Sequence, residues 1–280
     1  MFERISRSWQ LVKASANVLR QDKELVVFPL VSVAALILVV ASFAVPVLGF
    51  DLLASASARH LSAPAYVLGF LFYFTQYFVI AYFNTALVGA AMMRLDGGDP
   101  TLGDGLRIAN RRIVAIAGYA LIAATVGMLL RALQQRLGFI GRMVVGLLGA
   151  AWSVATFMVV PVLAATDVGP VDAVKESARL LRKTWGENVV GQAGMGFVFG
   201  FIFFAVIGMG TVLVVGAIAA QSVALIVAAL VVMMLALGIT ALVHSALAGI
   251  YSAALYRYAT KGEGMPGFDG DALRLAFAPK

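Results

Sequence analysis

Cysteine is absent from this 280-residue chain, and histidine occurs only as His60 and His244. The first absence excludes disulfide staples, thiolate metal sites and a cysteine nucleophile, and it leaves the redox compartment undetermined. Charge is scarce as well: Asp, Glu, Lys and Arg make up 12% of the residues, against roughly 25% in soluble domains. The carboxylates fall almost wholly in polar loops, and no H-E-x-x-H pair, G-x-S-x-G elbow or G-x-x-x-x-G-K-S/T phosphate cradle is present. Without paired carboxylates, a metal cluster or an activated nucleophile at depth, the sequence predicts a protein that is not an enzyme. No cofactor, metal or nucleic-acid partner is expected.

What is present is apolar: 62% of the residues are hydrophobic. A hydrocarbon core about 30 Å thick needs about 20 apolar residues per spanning helix. Runs of that kind cover about 26–50, 64–93, 113–130, 143–165, 189–216 and 223–256, predicting an all-α integral membrane protein with six transmembrane helices in one domain. Val189 to Val243 carries no formal charge, so a turn has to fall inside it, and Gly216, Gln221 and Ser222 mark its place. The third run is short and ends at Arg131. About 25 polar, amphipathic residues precede the first run, unlike a cleavable signal peptide, so the first span is expected to be retained.

Lys and Arg are distributed unevenly about these runs. The N-terminal segment holds Arg4, Arg7, Lys13, Arg20 and Lys23; the second loop Arg94, Arg107, Arg111 and Arg112; the fourth Lys175, Arg179, Arg182 and Lys183; the tail Arg257, Lys261, Arg274 and Lys280. Only Arg59, Arg131, Arg136 and Arg142 fall on the other side. Basic loops resist translocation, so the expected topology has both termini inside, in a cytoplasmic membrane.

The basic segments resemble one another. Lys13-Ala-Ser-Ala-Asn-Val-Leu-Arg20 and Lys175-Glu-Ser-Ala-Arg-Leu-Leu-Arg182 share K-x-S-A-x-x-L-R, and Gly103-Asp-Gly-Leu-Arg-Ile-Ala109 is echoed by Gly270-Asp-Ala-Leu-Arg-Leu-Ala276. The pattern reads as a unit of amphipathic helix followed by two spans, used three times, with a partial fourth helix in the tail 257–280. In 1–24 an apolar stripe runs through Phe2, Ile5, Trp9, Val12, Ala16 and Leu19; in the fourth loop through Val171, Val174, Ala178, Leu181 and Trp185. These helices are expected to lie on the membrane surface, extending Arg4, Arg7, Lys13, Arg20, Arg107, Arg111, Arg112, Lys175, Arg179, Arg182 and Lys183 toward anionic headgroups. Positive residues that merely set topology would look the same.

Three features lie within the spans. Tyr66, Tyr73, Tyr77 and Asn84 fall within about 40° of one another on a helix of 3.6 residues per turn, with Gln76 beside them. This stripe is either a hydrated, substrate-lining face or a seam of interhelical hydrogen bonds. His244, placed well inside the bilayer by this segmentation, is either a proton-linked or gating group or a neutral histidine bonded to a neighbouring helix. Gly196 and Gly200 have the spacing of a close helix contact. Pro29, Pro46 and Pro161 fall near span ends, where a proline can kink or start a helix, and no broken helix of the transporter kind is expected from them.

Thr156-Phe-Met-Val-Val-Pro-Val-Leu163, Asp167-Val-Gly-Pro170, Ala173-Val-Lys-Glu-Ser-Ala178 and Thr184-Trp-Gly-Glu187 together resemble an uncharacterised family of six-helix bacterial inner-membrane proteins. Phe2-Glu-Arg-Ile-Ser6, Ser8-Trp9, Asp22-Lys-Glu-Leu25 and Phe28-Pro29 are similar to that family's N-terminus. More distantly, the chain is similar to the membrane domain that precedes some glycerophosphodiester phosphodiesterases, without their catalytic domain. The resemblance implies fold and location and carries no activity. The sequence therefore predicts a non-enzymatic protein whose basic collar engages anionic lipid or a protein partner, in membrane assembly or envelope maintenance. The alternatives are a solute transporter or channel lined by Tyr73, Gln76, Tyr77, Asn84 and His244, and a subunit or insertase-like helper that acts by helix contacts through Gly196 and Gly200; a homo-oligomer or a protein partner is open.

Overall fold

A computed structural model describes residues 13–49, 63–183 and 185–261. Among them every regular element is helical. In chain order these are α1 (described over 13–21), a 3-10 turn Lys23–Val26, α2 (Val27–Gly49), α3 (Ala63–Leu95), α4 (Leu102–Arg111) and α5 (Ile113–Arg136). They continue as α6 (Phe139–Ala155), α7 (Val159–Ala165), α8 (Pro170–Lys183), α9 (Trp185–Ala219) and α10 (Val223–Lys261). Six helical stretches are long and apolar enough to cross a membrane, α6 and α7 counting as one. The six expected runs coincide with them. Phe2, Ile5, Trp9 and Val12 of the first stripe, Arg4, Arg7 and the tail copy Gly270 to Ala276 lie outside the described residues.

Two zones divide the bundle. Large apolar side chains stay exposed from Leu30 to Val45, Tyr66 to Ile80, Leu121 to Leu133, Phe139 to Leu148, Phe201 to Ile218 and Val223 to Ile239. In water such a belt would be untenable; in hydrocarbon it is the normal outer surface of a spanning helix. The core lies at the other end, where Ala86 to Ala91, Met158 to Leu163 and Leu247 to Leu255 are buried together with Val18, Leu25, Phe28 and Ala109.

Helix length explains the division. At 1.5 Å per residue, the 33, 35 and 39 residues of α3, α9 and α10 extend about 50, 52 and 58 Å, well beyond a core of about 30 Å. The surplus of α3 and α10 is the buried part, and the short helices pack around it. The pivot is α3, which touches α2, α4, α5, α7 and α10.

The faces that the short helices turn toward the bundle overlap only in part with the apolar stripes expected to lie against the membrane surface. In α8, Ala173, Ser177, Leu180 and Leu181 are buried, while Val171 and Ala178 are exposed and Val174 is half-buried. In α4 the buried pair is Gly105 and Ala109, and in α1 it is Ser15 and Val18. Small residues let these helices approach the spans closely, so the inward face is chosen by size as much as by hydrophobicity.

The fourth span is broken, contrary to expectation. α6 stops at Ala155, Thr156–Met158 form a turn, and α7 restarts at Val159. Pro161 is the cause, because it lacks an amide hydrogen and its ring crowds the carbonyl of Phe157 four residues before it. The fifth and sixth spans are joined at Ala220–Ser222, where Gln221 takes φ 50 and Gly216 remains helical. The Ser222 hydroxyl then accepts from the Leu225 amide at 3.4 Å, capping α10.

Candidate functional site: the packed end and its free arginines

The packed end is assembled by a few specific contacts. Thr101 and Asp104 form a capping box at the start of α4, the Thr101 hydroxyl accepting from the Asp104 amide and the Asp104 carboxylate from the Thr101 amide. The Thr101 hydroxyl also donates to the Asp104 carboxylate at 2.7 Å, and this bond, with the one from the Thr101 amide and Arg107 nearby, holds the Asp104 carboxyl below its ordinary range. The Glu24 carboxylate accepts from the Leu102 amide at 3.3 Å, tying the 3-10 turn to the same helix. Ahead of α4, Gly97 supplies the positive φ of 84° that the turn after α3 requires. A Tyr82 hydroxyl to Asn110 bond of 2.8 Å fixes the far end of α4 against α3.

Across the bundle, Arg257 on α10 donates to the Met92 carbonyl at 3.1 Å and pairs with Asp96, closing the exit of α3. The Arg257 hydrogen bond lowers the Asp96 pKa. Asp22, between α1 and the 3-10 turn, is buried, and desolvation raises its pKa. Ser177 closes the broken span: its hydroxyl donates to the Ala155 carbonyl at 2.7 Å and accepts from the Met158 amide at 3.0 Å. Two backbone groups orphaned by the break are thereby satisfied. Ser15, at the matching place in the other K-x-S-A segment, is fully buried as well.

The basic residues fall into two sets. Arg107 pairs with Asp104 at 2.8 Å, Lys175 with Asp172 at 3.3 Å and Arg179 with Glu176 at 3.6 Å, each one helical turn apart. Arg112 pairs with Asp167, and Arg94 with Asp99 at 3.2 Å. Exposed pairs of this kind contribute only about 0–1 kcal/mol to stability, yet they neutralise charge that lipid would otherwise see. Arg20, Arg111 and Arg182 are different: each is exposed, each lies in the last turn of a short helix, and none has an ion-pair partner among the described residues. Lys13 is exposed at the described start of α1, and the side chain of Lys183 lies outside the described residues.

The polar groups of the spans are not gathered into one place. Tyr73 accepts from Arg131 of α5, and the Tyr77 hydroxyl stands 3.1 Å from the position a Cβ on Gly127 of α5 would take. Arg131 does not end α5, which runs on to Arg136. Gln76 and Asn84 are half-buried, and Tyr66 is exposed. His244 instead faces α9, its ring 4.6 Å from that of Phe199 and 6.4 Å from that of Phe203. It lies about 31 Å along α10 from Val223, which puts it at the edge of the belt and not at its middle. Gly196 and Gly200 are exposed, and a Cβ on either would meet nothing within 4 Å. No group of three or more potential metal ligands occurs among the described residues.

Ser177, Arg257, Gly105 and Asp96 were not foreseen. The repeated K-x-S-A segment carried the one available signal, for Ser177. The other three act through partners on distant helices.

Fold and surface together define a multi-pass membrane protein built from helical hairpins and short helices. The model of the family of unknown function DUF6159 matches residues 63–268, most of the chain, and the protein belongs to that family. No curated protein matches it.

Proposed function

We propose that the chain is a non-enzymatic membrane protein that gathers anionic lipid around its packed end through Arg20, Arg111 and Arg182. The observation that carries this reading is the division of the basic residues: most of the cations within reach of a carboxylate are paired, while the last-turn arginine of each of α1, α4 and α8 is exposed and has no ion pair among the described residues. An arginine there completes a helix dipole and still offers its donors outward. Near an anionic leaflet each such charge contributes about 1 kcal/mol. The lysine and arginine bias argues that the packed end is cytoplasmic.

Lipid carried with the protein into native nanodiscs is the direct test. Phosphatidylglycerol is expected to be enriched over the bulk membrane, and the triple variant R20Q/R111Q/R182Q to lose that enrichment. A second triple, R107Q/K175Q/R179Q, removes cations that are already paired and is expected to keep it. Equal losses in the two triples would defeat the proposal. For topology, the absence of native cysteine allows single-site labelling. Asp172→Cys is expected to react with a membrane-impermeant maleimide only in opened cells, and labelling of intact cells would reverse the orientation.

A solute path through the second and sixth spans has less support, because Tyr73 and Tyr77 engage α5 whereas His244 packs against Phe199 and Phe203 of α9.

A further inference from the structure

The three hairpins, α2–α3, α5–α6 and α9–α10, are joined unequally. α3 packs against both α5 and α10, whereas α9 packs on α10 and meets α8 at its base. On the side of α8 there is a groove of about 460 Å³ lined by Ala151, Val154, Ala155, Ala178, Leu181 and Arg182. Its volume is within the roughly 300–1,000 Å³ of small-ligand sites.

Three observations specify what fills it. Ala151 and Ala178, on opposite walls, are exposed, so the groove is open to the surroundings. On α6 it continues the apolar belt, whose exposed residues run from Phe139 to Leu148. The alanines on α6 lie about 18–24 Å along the helix from Phe139, in the half of a core of about 30 Å nearer the packed end, and phosphates stand beyond that core. The one charged side chain of the lining, Arg182, is exposed and without an ion-pair partner among the described residues.

We propose that this groove holds one phospholipid, an acyl chain lying against Ala151, Val154, Ala155, Ala178 and Leu181 and the phosphate bound by the Arg182 guanidinium. The inference rests on the lipid reading above and narrows it to one site. A chain leaving bilayer for groove gains no hydrophobic energy, since both are hydrocarbon-like. Selection therefore comes from the phosphate, which a guanidinium can hold with two parallel hydrogen bonds.

Native mass spectrometry of the full chain, titrated with dioleoyl phosphatidylglycerol, tests the site. One lipid is expected to survive collisional activation that strips the rest. Arg182→Gln is expected to weaken it about fivefold. Ala151→Trp and Ala178→Trp fill the groove from either wall and are expected to abolish the retained adduct while Arg20 and Arg111 keep the broader anionic enrichment. A retained adduct in both tryptophan variants overturns the site and leaves the charge reading standing. Absence of any anionic preference in the unaltered chain overturns both. Photo-crosslinking by a diazirine-bearing phosphatidylglycerol supplies a readout free of mutation: labels are expected at 151–155 and 178–182, and labels confined to other segments overturn the site.

Discussion

Leucine at position 105 should keep the packed end from closing. A Cβ on Gly105 would stand 2.5 Å from the Phe28 ring and 2.7 Å from the Ala86 carbonyl oxygen. The ring can turn aside, but the oxygen belongs to the backbone of α3, which is itself wedged among α2, α5, α7 and α10. Helix propensity favours replacing glycine by about 1 kcal/mol, and overpacking opposes it by about 1–3 kcal/mol for extra methylenes, more where backbone must move. For Gly105→Ala the difference is a net loss of about 0–2 kcal/mol. For Gly105→Leu steric exclusion wins by about 3 kcal/mol or more. Unfolding in SDS-containing mixed micelles should show this order, and a Gly105→Leu chain as stable as the parent would show that α4 is not seated on α3.

The second large effect is expected at Ser177. Alanine there leaves the Ala155 carbonyl and the Met158 amide without their shared partner, the amide buried and the carbonyl partly so. Each unsatisfied buried group costs about 1–3 kcal/mol, so Ser177→Ala should destabilise by about 2–4 kcal/mol. Ser42→Ala is the control. Its hydroxyl donates to the Leu38 carbonyl four residues before it, at 2.8 Å, a bond the helix does not need. Its loss should change stability by less than about 0.5 kcal/mol. Faster amide exchange at Met158 in Ser177→Ala would locate the loss at the break, whereas unchanged exchange there would refute the bridging role.

The six spans were legible because hydrocarbon thickness sets a minimum apolar length, which every run but the short third one clearly exceeds. The surplus length was legible too, since the runs 64–93 and 223–256 are longer than a bilayer needs, but its meaning was not. Apolar residues look alike whether they face lipid or a neighbouring helix. The interruption at Thr156–Met158 escaped notice because those residues scarcely lower the hydropathy around them, and Pro161 alone does not say whether a helix bends, starts or stops. The face of α8 that packs on the bundle was not legible, because the stripe through Val171 and Val174 reads as a membrane-surface face, whereas close packing selects Ala173 and Ser177. Among the charges, spacing alone could have paired Arg107 with Asp104, Lys175 with Asp172 and Arg179 with Glu176. No spacing could have joined Arg112 to Asp167 or Arg257 to Asp96, since those partners meet only after hairpins assemble.

The clasp between Arg257 and the exit of α3 also sets an order of events during synthesis. The second long helix enters the membrane early, yet the surface it offers from Ala86 to Leu95 is completed by the last long helix to leave the ribosome. Until then that greasy stem stands uncovered, so a nascent chain stalled before α10 should attract chaperones and proteases while its earlier hairpins are already threaded.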